Sequence, residues 1–154
     1  NVHYEVEVVI RINRLGKHIE ERFAHKYYSE IGLGIDFTAR DVQEEIKAKG
    51  LPWEKAKGFD GSAVISRKFI SKDDLNLSDL NFSLTKNGET VQSGNTKDML
   101  FHFDSIIAYI SQFYTLKIGD LIYTGTPSGV GPVKSGDTLE GFIEDEKMFR
   151  VNVK

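Results

Sequence analysis

The sequence predicts a mainly β domain with a few short helices, and three observations support this fold class. Tyr4–Ile12 is rich in β-branched residues and alternates as a strand does. Asn87-Gly88 separates two short strand-like runs, and this dipeptide favours a tight hairpin turn. The runs Leu139–Ile143 and Met148–Val153 predict a second hairpin near the C-terminus. A sheet-rich fold is therefore expected.

Length and composition narrow the classes of protein further. The chain has 154 residues, 40% of them hydrophobic, which is enough for one core, and it contains no repeat or linker. We therefore expect a single domain over residues 1–154. The net charge of −3 gives no basic excess for nucleic acid, and no apolar run reaches the roughly 20 residues of a membrane helix. The absence of cysteine excludes disulfides, thiolate zinc sites and a cysteine nucleophile, and is compatible with a reducing cytoplasm.

Short helices alternate with strands in the first half. Ile19–Tyr28 carries charges and two aromatic residues four positions apart, which suits a short helix. Ile31–Phe37 is a strand interrupted by glycine. Thr38–Lys49 has helical spacing, and Gly50-Leu51-Pro52 ends that helix.

Strand patterns dominate the second half. Four segments carry them: Ala63–Ile70, Asn81–Lys86, Glu89–Gln92 and Leu121–Thr124. Asp98–Phe113 is the exception, because its apolar residues recur at three- and four-residue steps and predict an amphipathic helix. We expect the longest helix of the chain to include Ser105–Gln112. Gly125–Gly136 is a loop rich in glycine and proline.

Three carboxylates form the first candidate site. Glu5 and Glu7 lie two apart on a strand and therefore on one face, and Asp36 ends a second strand. If the face is exposed, the pair belongs to a solvated strand edge; if it is half-buried, a cation must neutralise both acids. Oxygen ligands without histidine or cysteine favour Mg²⁺, Mn²⁺ or Ca²⁺ over zinc.

Two further segments are candidates for chemistry. Lys57, followed by glycine and flanked by aromatic residues, is either a partly desolvated acid/base or anion-binding group or a surface lysine beside a turn. The loop within Tyr123–Gly131 offers hydroxyls and backbone amides to an anion, or it simply connects two strands. It lacks the lysine and spacing of a nucleotide-binding P-loop. Of the four histidines, only His3 neighbours the carboxylates.

Taken in order, six segments of the chain resemble the fumarylacetoacetate hydrolase family. They span nearly the whole sequence: His3–Glu7 (HYEVE), Gly34–Gln43 (GIDFTARDVQ), Trp53–Asp60 (WEKAKGFD), Gln92–Met99 (QSGNTKDM), Leu116–Gly131 (LKIGDLIYTGTPSGVG) and Gly136-Asp137. Each segment alone is a weak signal. Their order, with the carboxylates in the expected places, makes the resemblance specific.

The resemblance implies a fold, a site and a class of reaction. The fold would be the mixed β-roll of the family's C-terminal domain, forming a homodimer. Glu5, Glu7 and Asp36 look like the ligands of a divalent metal, usually Mg²⁺ with Mn²⁺ or Ca²⁺ as alternatives, and Lys57 looks like the catalytic lysine. The positions that resemble substrate-contacting residues are Arg40, Gln43 and Thr126.

Family members act on 2-oxo acids and β-diketones. The leading interpretation is therefore a metal-dependent enzyme that hydrolyses acylpyruvates or decarboxylates or tautomerises oxaloacetate. An isomerase or decarboxylase of aromatic catabolism and a non-catalytic binding module on the same fold are the alternatives. Short members carry a His-x-x-Glu pair N-terminal to the metal motif, and none precedes Asn1. We expect an N-terminal portion to be missing, which leaves the hydrolytic step open.

Overall fold

The computed structural model describes residues 1–154 and contains twelve β-strands and four short helices. The expected mainly β fold class is confirmed. The strands are β1 Val2–Tyr4, β2 Val6–Ile12, β3 Tyr28–Asp36, β4 Thr38–Ala39, β5 Ala63–Ile65, β6 Ile70–Ser71, β7 Asn81–Lys86, β8 Glu89–Asn95, β9 Leu121–Tyr123, β10 Gly131–Pro132, β11 Thr138–Ile143 and β12 Glu146–Asn152. The helices are α1 Glu21–Ala24, α2 Arg40–Ala48, α3 Glu54–Lys57 and α4 Phe103–Phe113. No helix is long and apolar enough to cross a membrane.

Strands β2 and β3 form the centre of the largest sheet, which has the order β5-β3-β2-β9 with β6 also paired to β3. All of these pairs are antiparallel. Six of the seven residues of β2 are buried, because the sheet is covered on both faces. The face that carries Glu7 is therefore not solvated, and the exposed-edge interpretation of the carboxylate pair is wrong.

Two smaller sheets complete the fold. The four-stranded sheet has the order β12-β11-β7-β8, and the three-stranded sheet has the order β10-β1-β4. The predicted hairpin turn joins β7 to β8, with positive φ angles of 54° at Asn87 and 88° at Gly88, as a type I′ turn requires. The predicted C-terminal hairpin is β11 with β12.

One cluster of 23 buried apolar residues forms the core. Strands β2 and β3 supply much of it, with Ile10, Ile31 and Leu33 completely inaccessible. The longest helix, α4, includes Ser105–Gln112 as expected, and it buries Phe103 and Ile107 one turn apart. Burial of these side chains, rather than helix propensity, fixes the helix against the sheets.

Several element boundaries differ from the sequence prediction. Helix α4 begins at Phe103 rather than Asp98, because Asp98 belongs to a separate 3-10 turn and the backbone is extended at Met99. Leu100, expected in the apolar stripe of the helix, is 93% exposed. The helix expected over Ile19–Tyr28 is only the four-residue α1. The predicted strand Ala63–Ile70 is two short strands, β5 and β6. Strand β9 stops at Tyr123, and the loop expected over Gly125–Gly136 contains the two-residue strand β10.

Candidate active site

Pairing of β2 with β3 brings the three carboxylates together. Glu7 lies opposite Gly34 in the register, and the backbone amide of Asp36 donates a hydrogen bond to the carbonyl oxygen of Glu5 at 2.9 Å. Glu5 is the single residue between the end of β1 and the start of β2. One ligand oxygen from each of Glu5, Glu7 and Asp36 lies within 4.8 Å of the other two. Glu5 and Glu7 are buried, and Asp36 is partly buried.

The Lys57 ammonium lies among these carboxylates. Its Nζ is 2.7 Å from Oε2 of Glu5 and 2.7 Å from Oδ2 of Asp36. A third contact of 2.7 Å joins Nζ to Oγ1 of the inaccessible Thr38. Three acceptors occupy all three N–H donors of the ammonium group. Lys57 is therefore not the surface lysine of the alternative interpretation, because it is held in the site by polar contacts.

Arg40 is the second cation beside the carboxylates. It begins α2, and its Nη2 lies 2.5 Å from Oε1 of Glu5. Its Nη1 donates to Oε1 of the buried Gln43 at 2.6 Å, one helical turn further along. The Nε of Arg40 is buried and has no hydrogen-bond partner among the protein groups. The guanidinium group is thus fixed on two sides, and its buried Nε–H is a donor without a protein partner.

Glu7 has no cation partner, and this separates it from the other two acids. Its Oε2 accepts a hydrogen bond from the backbone amide of Gly125 at 2.7 Å. Burial raises the pKa of Glu7 to about 7, and the charges of Asp36 and Glu5 add to that shift. Burial also raises the pKa of Asp36.

The contacts between Glu5 and the two cations oppose the effect of burial on the pKa values of Glu5 and Lys57. Burial works to raise the pKa of Glu5, but the hydrogen bonds from Lys57 and Arg40 outweigh it and lower that pKa. Burial works to lower the pKa of Lys57, but hydrogen bonds to Asp36 and Glu5 raise it. The lysine is therefore held as a cation.

A divalent cation fits this donor set. The ligand atoms of one octahedral ion lie at most about 4 to 5 Å apart, twice the metal–oxygen distance, and the three oxygens meet that limit. When all three carboxylates are ionised, they exceed the two cations Lys57 and Arg40 by one negative charge, which a metal ion would offset. Carboxylate oxygens are the ligands of hard ions such as Mg²⁺ and Mn²⁺.

A loop that follows β9 borders the cluster. Thr124 donates its hydroxyl to the carbonyl of Val8 at 2.8 Å, and Gly125 contacts Glu7 as described. The next residue, Thr126, is half-buried, and its Oγ1 accepts a hydrogen bond from Nε2 of Gln92 at 2.9 Å. This segment is therefore more than a simple connection between strands, because its Gly125 amide contacts Glu7, a predicted metal ligand.

This loop forms part of the wall of a cleft of about 450 Å³. Its walls include Thr124, Gly125 and Thr126, and apolar side chains such as Met99 and Ile106 face them. The cleft is of the size that holds a small molecule. Gly125, whose amide donates to Glu7, is one of the residues that line the cleft.

The structure brings all seven predicted site residues to one region. Their roles in binding and catalysis stay predictions. They are Glu5, Glu7, Asp36, Lys57, Arg40, Gln43 and Thr126.

Sequence reasoning assigned no role to two residues that connect the site, Thr38 and Gln92. Both are almost completely buried polar side chains within strands, and no local pattern marks such a position. His3, the suggested neighbour, has a buried Nδ1 without a partner. Burial lowers its pKa, and the charge of Arg40 adds to the shift.

Comparison with known proteins identifies the family. Residues 1–153 match the fumarylacetoacetate (FAA) hydrolase C-terminal family. The mouse mitochondrial oxaloacetate tautomerase FAHD1 is 44% identical over 155 aligned residues, which cover 100% of this chain and 70% of the mouse protein. The Escherichia coli oxaloacetate tautomerase YcgM is 44% identical over 141 residues, covering 90% of this chain and 64% of that protein.

A solved structure supports the same assignment. Fumarylpyruvate hydrolase from Pseudomonas aeruginosa, crystallised in complex with Mn²⁺ and pyruvate, superimposes with a TM-score of 0.92 at 33% identity. The match covers 99% of this chain and 66% of the hydrolase. The family match over residues 1–153 and the shared fold agree with one another, and the chain belongs to the fumarylacetoacetate hydrolase family.

Proposed function

We propose that this chain is the catalytic domain of a divalent-metal-dependent enzyme acting on 2-oxo acids, with enol–keto tautomerisation of oxaloacetate as its first candidate reaction. One observation carries the proposal: three carboxylates converge within 4.8 Å beside a lysine that contacts two of them. The two tautomerases, each 44% identical to this chain, favour oxaloacetate over other oxo acids.

Glu5, Glu7 and Asp36 would hold the metal, with Mg²⁺ or Mn²⁺ preferred and Ca²⁺ as an alternative. When bound, the cation supplies Lewis acidity toward the oxygens of the oxo acid, where negative charge develops as the enolate forms. The protein contributes the carboxylates in a buried position, which keeps competing water away from them.

The charge of the site suits an anionic substrate. Three carboxylates, two protein cations and one dication would leave a net charge of +1, which a carboxylate of the substrate balances. Arg40 and Lys57 supply this positive charge from two sides of Glu5. In a water-poor site such charges act more strongly than in bulk solvent. Thr126 would donate its hydroxyl to the substrate carboxylate.

Lys57 would move the proton in the tautomerisation. The enol hydroxyl loses its proton, and carbon 3 of the enolate receives a proton from Nζ of Lys57. The proton lost by the enol returns the lysine to its ammonium form, so each turnover leaves the enzyme unchanged. Delivery from Nζ requires one of its three present contacts to open, and the contact with Thr38 is the one whose acceptor is uncharged.

Hydrolysis of acylpyruvates and decarboxylation of oxaloacetate are the second candidates. The fumarylpyruvate hydrolase with Mn²⁺ and pyruvate supports them, because loss of an acyl group or of CO₂ from such substrates also leaves a pyruvate enolate. The same lysine and carboxylates would stabilise that charge. The cleft beside Thr126 offers space for the group that leaves.

An assay of the purified protein separates these reactions. Oxaloacetate tautomerisation, oxaloacetate decarboxylation and acetylpyruvate hydrolysis are each measured with Mg²⁺, with Mn²⁺ and with a chelator. We expect the fastest metal-dependent rate for tautomerisation. Rates at background level for all three reactions with both metals would refute the enzyme and favour a binding module on the same fold.

We further propose that residues 1–154 form one domain and that the protein is a homodimer. Exposed apolar side chains near the end of α4 support the second proposal: Tyr109, Phe113, Tyr114 and Ile118 are each more than 60% exposed. Solvent-exposed apolar groups of this size favour association. Sedimentation at micromolar concentration tests it, and a monomer at that concentration would contradict it.

A further inference from the structure

We propose that Gln92 is a positioning residue that fixes Thr126 as a hydrogen-bond donor toward the substrate carboxylate. The inference rests on the proposed function, since it takes an oxo acid as the ligand of Thr126. Gln92 itself would not touch the substrate. It would act through the hydroxyl group that it orients and through the loop that carries this hydroxyl.

Gln92 lies in β8 of the four-stranded sheet, and only 1% of its surface is accessible. Its Oε1 accepts a hydrogen bond from the backbone amide of Val6 at 2.9 Å. Its Nε2 donates to Oγ1 of Thr126 at 2.9 Å and to the carbonyl of Pro127 at 3.0 Å. One buried amide thus connects β2 to the loop after β9.

The two backbone partners fix which way the amide points. The amide of Val6 can only donate, and the carbonyl of Pro127 can only accept. A flipped Gln92 would place an NH₂ group against the N–H of Val6 and an oxygen against the carbonyl of Pro127. The group that faces Thr126 is therefore the NH₂ donor.

A donor in this position determines what Thr126 can do. A threonine hydroxyl has one hydrogen and two lone pairs, and the Gln92 amide occupies one lone pair. The hydroxyl hydrogen stays available for an acceptor on the open side of the loop. A substrate carboxylate, which only accepts hydrogen bonds, is the matching ligand.

Gln92 also completes the edge of β2 between two of the predicted metal ligands. Strand β9 pairs only with Val9, Ile10 and Arg11, and its partnership ends before it reaches Val6. The Val6 amide, between Glu5 and Glu7 in the chain, would lack a partner without Gln92. The same side chain thus connects the carboxylate strand to the substrate loop.

The loop is packed closely enough on β8 to transmit this constraint. A Cβ atom on Gly129 would lie 2.5 Å from the carbonyl oxygen of Val91, and φ at Gly129 is +100°. A Cβ on Gly94 would lie 3.0 Å from Cβ of Pro127. The backbone of the loop therefore rests against the strand on either side of Gln92.

Gln92→Glu tests the proposal, because glutamate keeps the acceptor for Val6 and replaces the donor by a second acceptor. The Thr126 hydroxyl would then turn its hydrogen toward the introduced carboxylate and away from the ligand. With saturating Mn²⁺, we expect the Kd of pyruvate, measured by calorimetry, to rise roughly 10- to 100-fold, as for a lost hydrogen bond to a charged group. The Kd of Mn²⁺ alone should change little.

A double-mutant cycle with Thr126→Val separates orientation from the added charge. If Gln92→Glu acts through the hydroxyl, it causes little further loss in the Thr126→Val background, and Thr126→Ser retains the response. Equal losses in both backgrounds would overturn the proposal, as would an unchanged Kd for the Gln92→Glu variant. If that variant does not fold, Gln92→Met is measured in the same cycle, with the same coupling expected.

Ser111→Ala is the matched control, because Ser111 is another inaccessible side chain that accepts a hydrogen bond from a distant backbone amide, that of Ile19. It should lower thermal stability without changing the Kd of pyruvate. Failure of the wild-type protein to bind pyruvate with Mn²⁺ present would refute the proposed function itself. A wild-type protein that binds pyruvate, with a Gln92→Glu variant that binds it equally well, would refute only the role of Gln92.

Discussion

The backbone amide of Gly125 donates a hydrogen bond to the Glu7 carboxylate at 2.7 Å, and it is the one hydrogen bond that the structure gives this carboxylate. Glu5 and Asp36 each contact a cation, whereas Glu7 does not. Glu7 is also buried, so its charge is the least compensated of the three. Because no cation contacts Glu7 and the Gly125 amide is its only hydrogen-bond donor, a metal ion would offset more uncompensated charge at Glu7 than at the other two carboxylates.

Glu7→Gln should weaken metal binding and stabilise the metal-free protein against unfolding. The amide oxygen still accepts a hydrogen bond from Gly125, but the charge of one ligand is lost. Loss of a residue that only hydrogen-bonds to a metal ligand costs roughly tenfold in affinity or more. Loss of a ligand charge should therefore raise the Kd of Mn²⁺ by more than about tenfold. Without metal, removal of an uncompensated buried charge should raise the urea midpoint of unfolding.

Calorimetry with Mn²⁺ and urea unfolding with a chelator check both effects. Glu30→Gln is the control, because Glu30 lies in β3 but pairs with Arg11 away from the cluster. It should leave the Kd of Mn²⁺ unchanged. Equal metal affinity in Glu7→Gln and the wild type would remove Glu7 from the ligand set.

Lys57→Met should reduce turnover without weakening metal binding. Removal of the ammonium deprives the enolate of a nearby cation and a proton donor, which should lower kcat roughly 100-fold or more. Metal affinity should be undiminished, because the lysine competes with a metal for the charge of Glu5 and Asp36.

Lys55→Met is the matched control on the same short helix, since Lys55 is exposed. Single-turnover measurements of oxaloacetate tautomerisation give the comparison for both variants. A Lys57→Met rate equal to that of Lys55→Met would exclude Lys57 from the mechanism.

Local patterns predicted the elements of the fold because each depends on nearby residues. The β-branched run Val6–Ile12 and the turn at Asn87-Gly88 carry their own signals. Helix α2 ends where Gly50, with φ of +63°, and Pro52 require it to end. The short strand β10 has no such signal, because it exists only through pairing with β1.

The contacts of the site depend on residues far apart in the chain. Lys57 and Glu5 are 52 positions apart, and Val6 and Gln92 are 86 apart. Periodicity indicates which face of a strand a carboxylate occupies but not which distant cation meets it. Residue patterns singled out the three carboxylates and Lys57, and the family resemblance added Arg40, Gln43 and Thr126. The structure supplied the contacts among them.

Gly34→Ala should destabilise the protein, because β3 approaches its neighbours too closely for a methyl group. A Cβ at this position would lie 2.5 Å from the carbonyl oxygen of Val64 and 2.6 Å from Cε1 of Tyr123. The Tyr123 hydroxyl donates to that same carbonyl at 2.6 Å, which limits how far the ring can move. Overpacking of this kind costs about 1 to 3 kcal/mol of unfolding free energy.

Urea unfolding measures this loss, and Ser29→Ala serves as the control because Ser29 is an exposed residue of the same strand. The control should stay within about 0.5 kcal/mol of the wild type. A Gly34→Ala variant as stable as Ser29→Ala would show that the neighbouring strands move enough to accommodate a methyl group at position 34.

Asp137→Asn should destabilise the protein near neutral pH and have less effect in acid. The Asp137 carboxylate accepts hydrogen bonds from Nδ2 of Asn87 at 2.9 Å and from the backbone amide of Lys134 at 3.0 Å. These two bonds lower its pKa below the ordinary value of 3.8. An asparagine offers one acceptor oxygen instead of two, so its NH₂ group would face one of the two donors.

A lowered carboxylate pKa contributes stability that is fully present above the pKa of the unfolded chain and is lost as the pH falls through the lower, folded value. The difference in melting temperature between wild type and Asp137→Asn should therefore be constant from about pH 5 to 7 and shrink below about pH 4. Thermal unfolding across this range, with the exposed Asp145→Asn as control, measures the difference. A gap that stayed constant down to about pH 2.5 would show that the ionised form of Asp137 does not stabilise this turn.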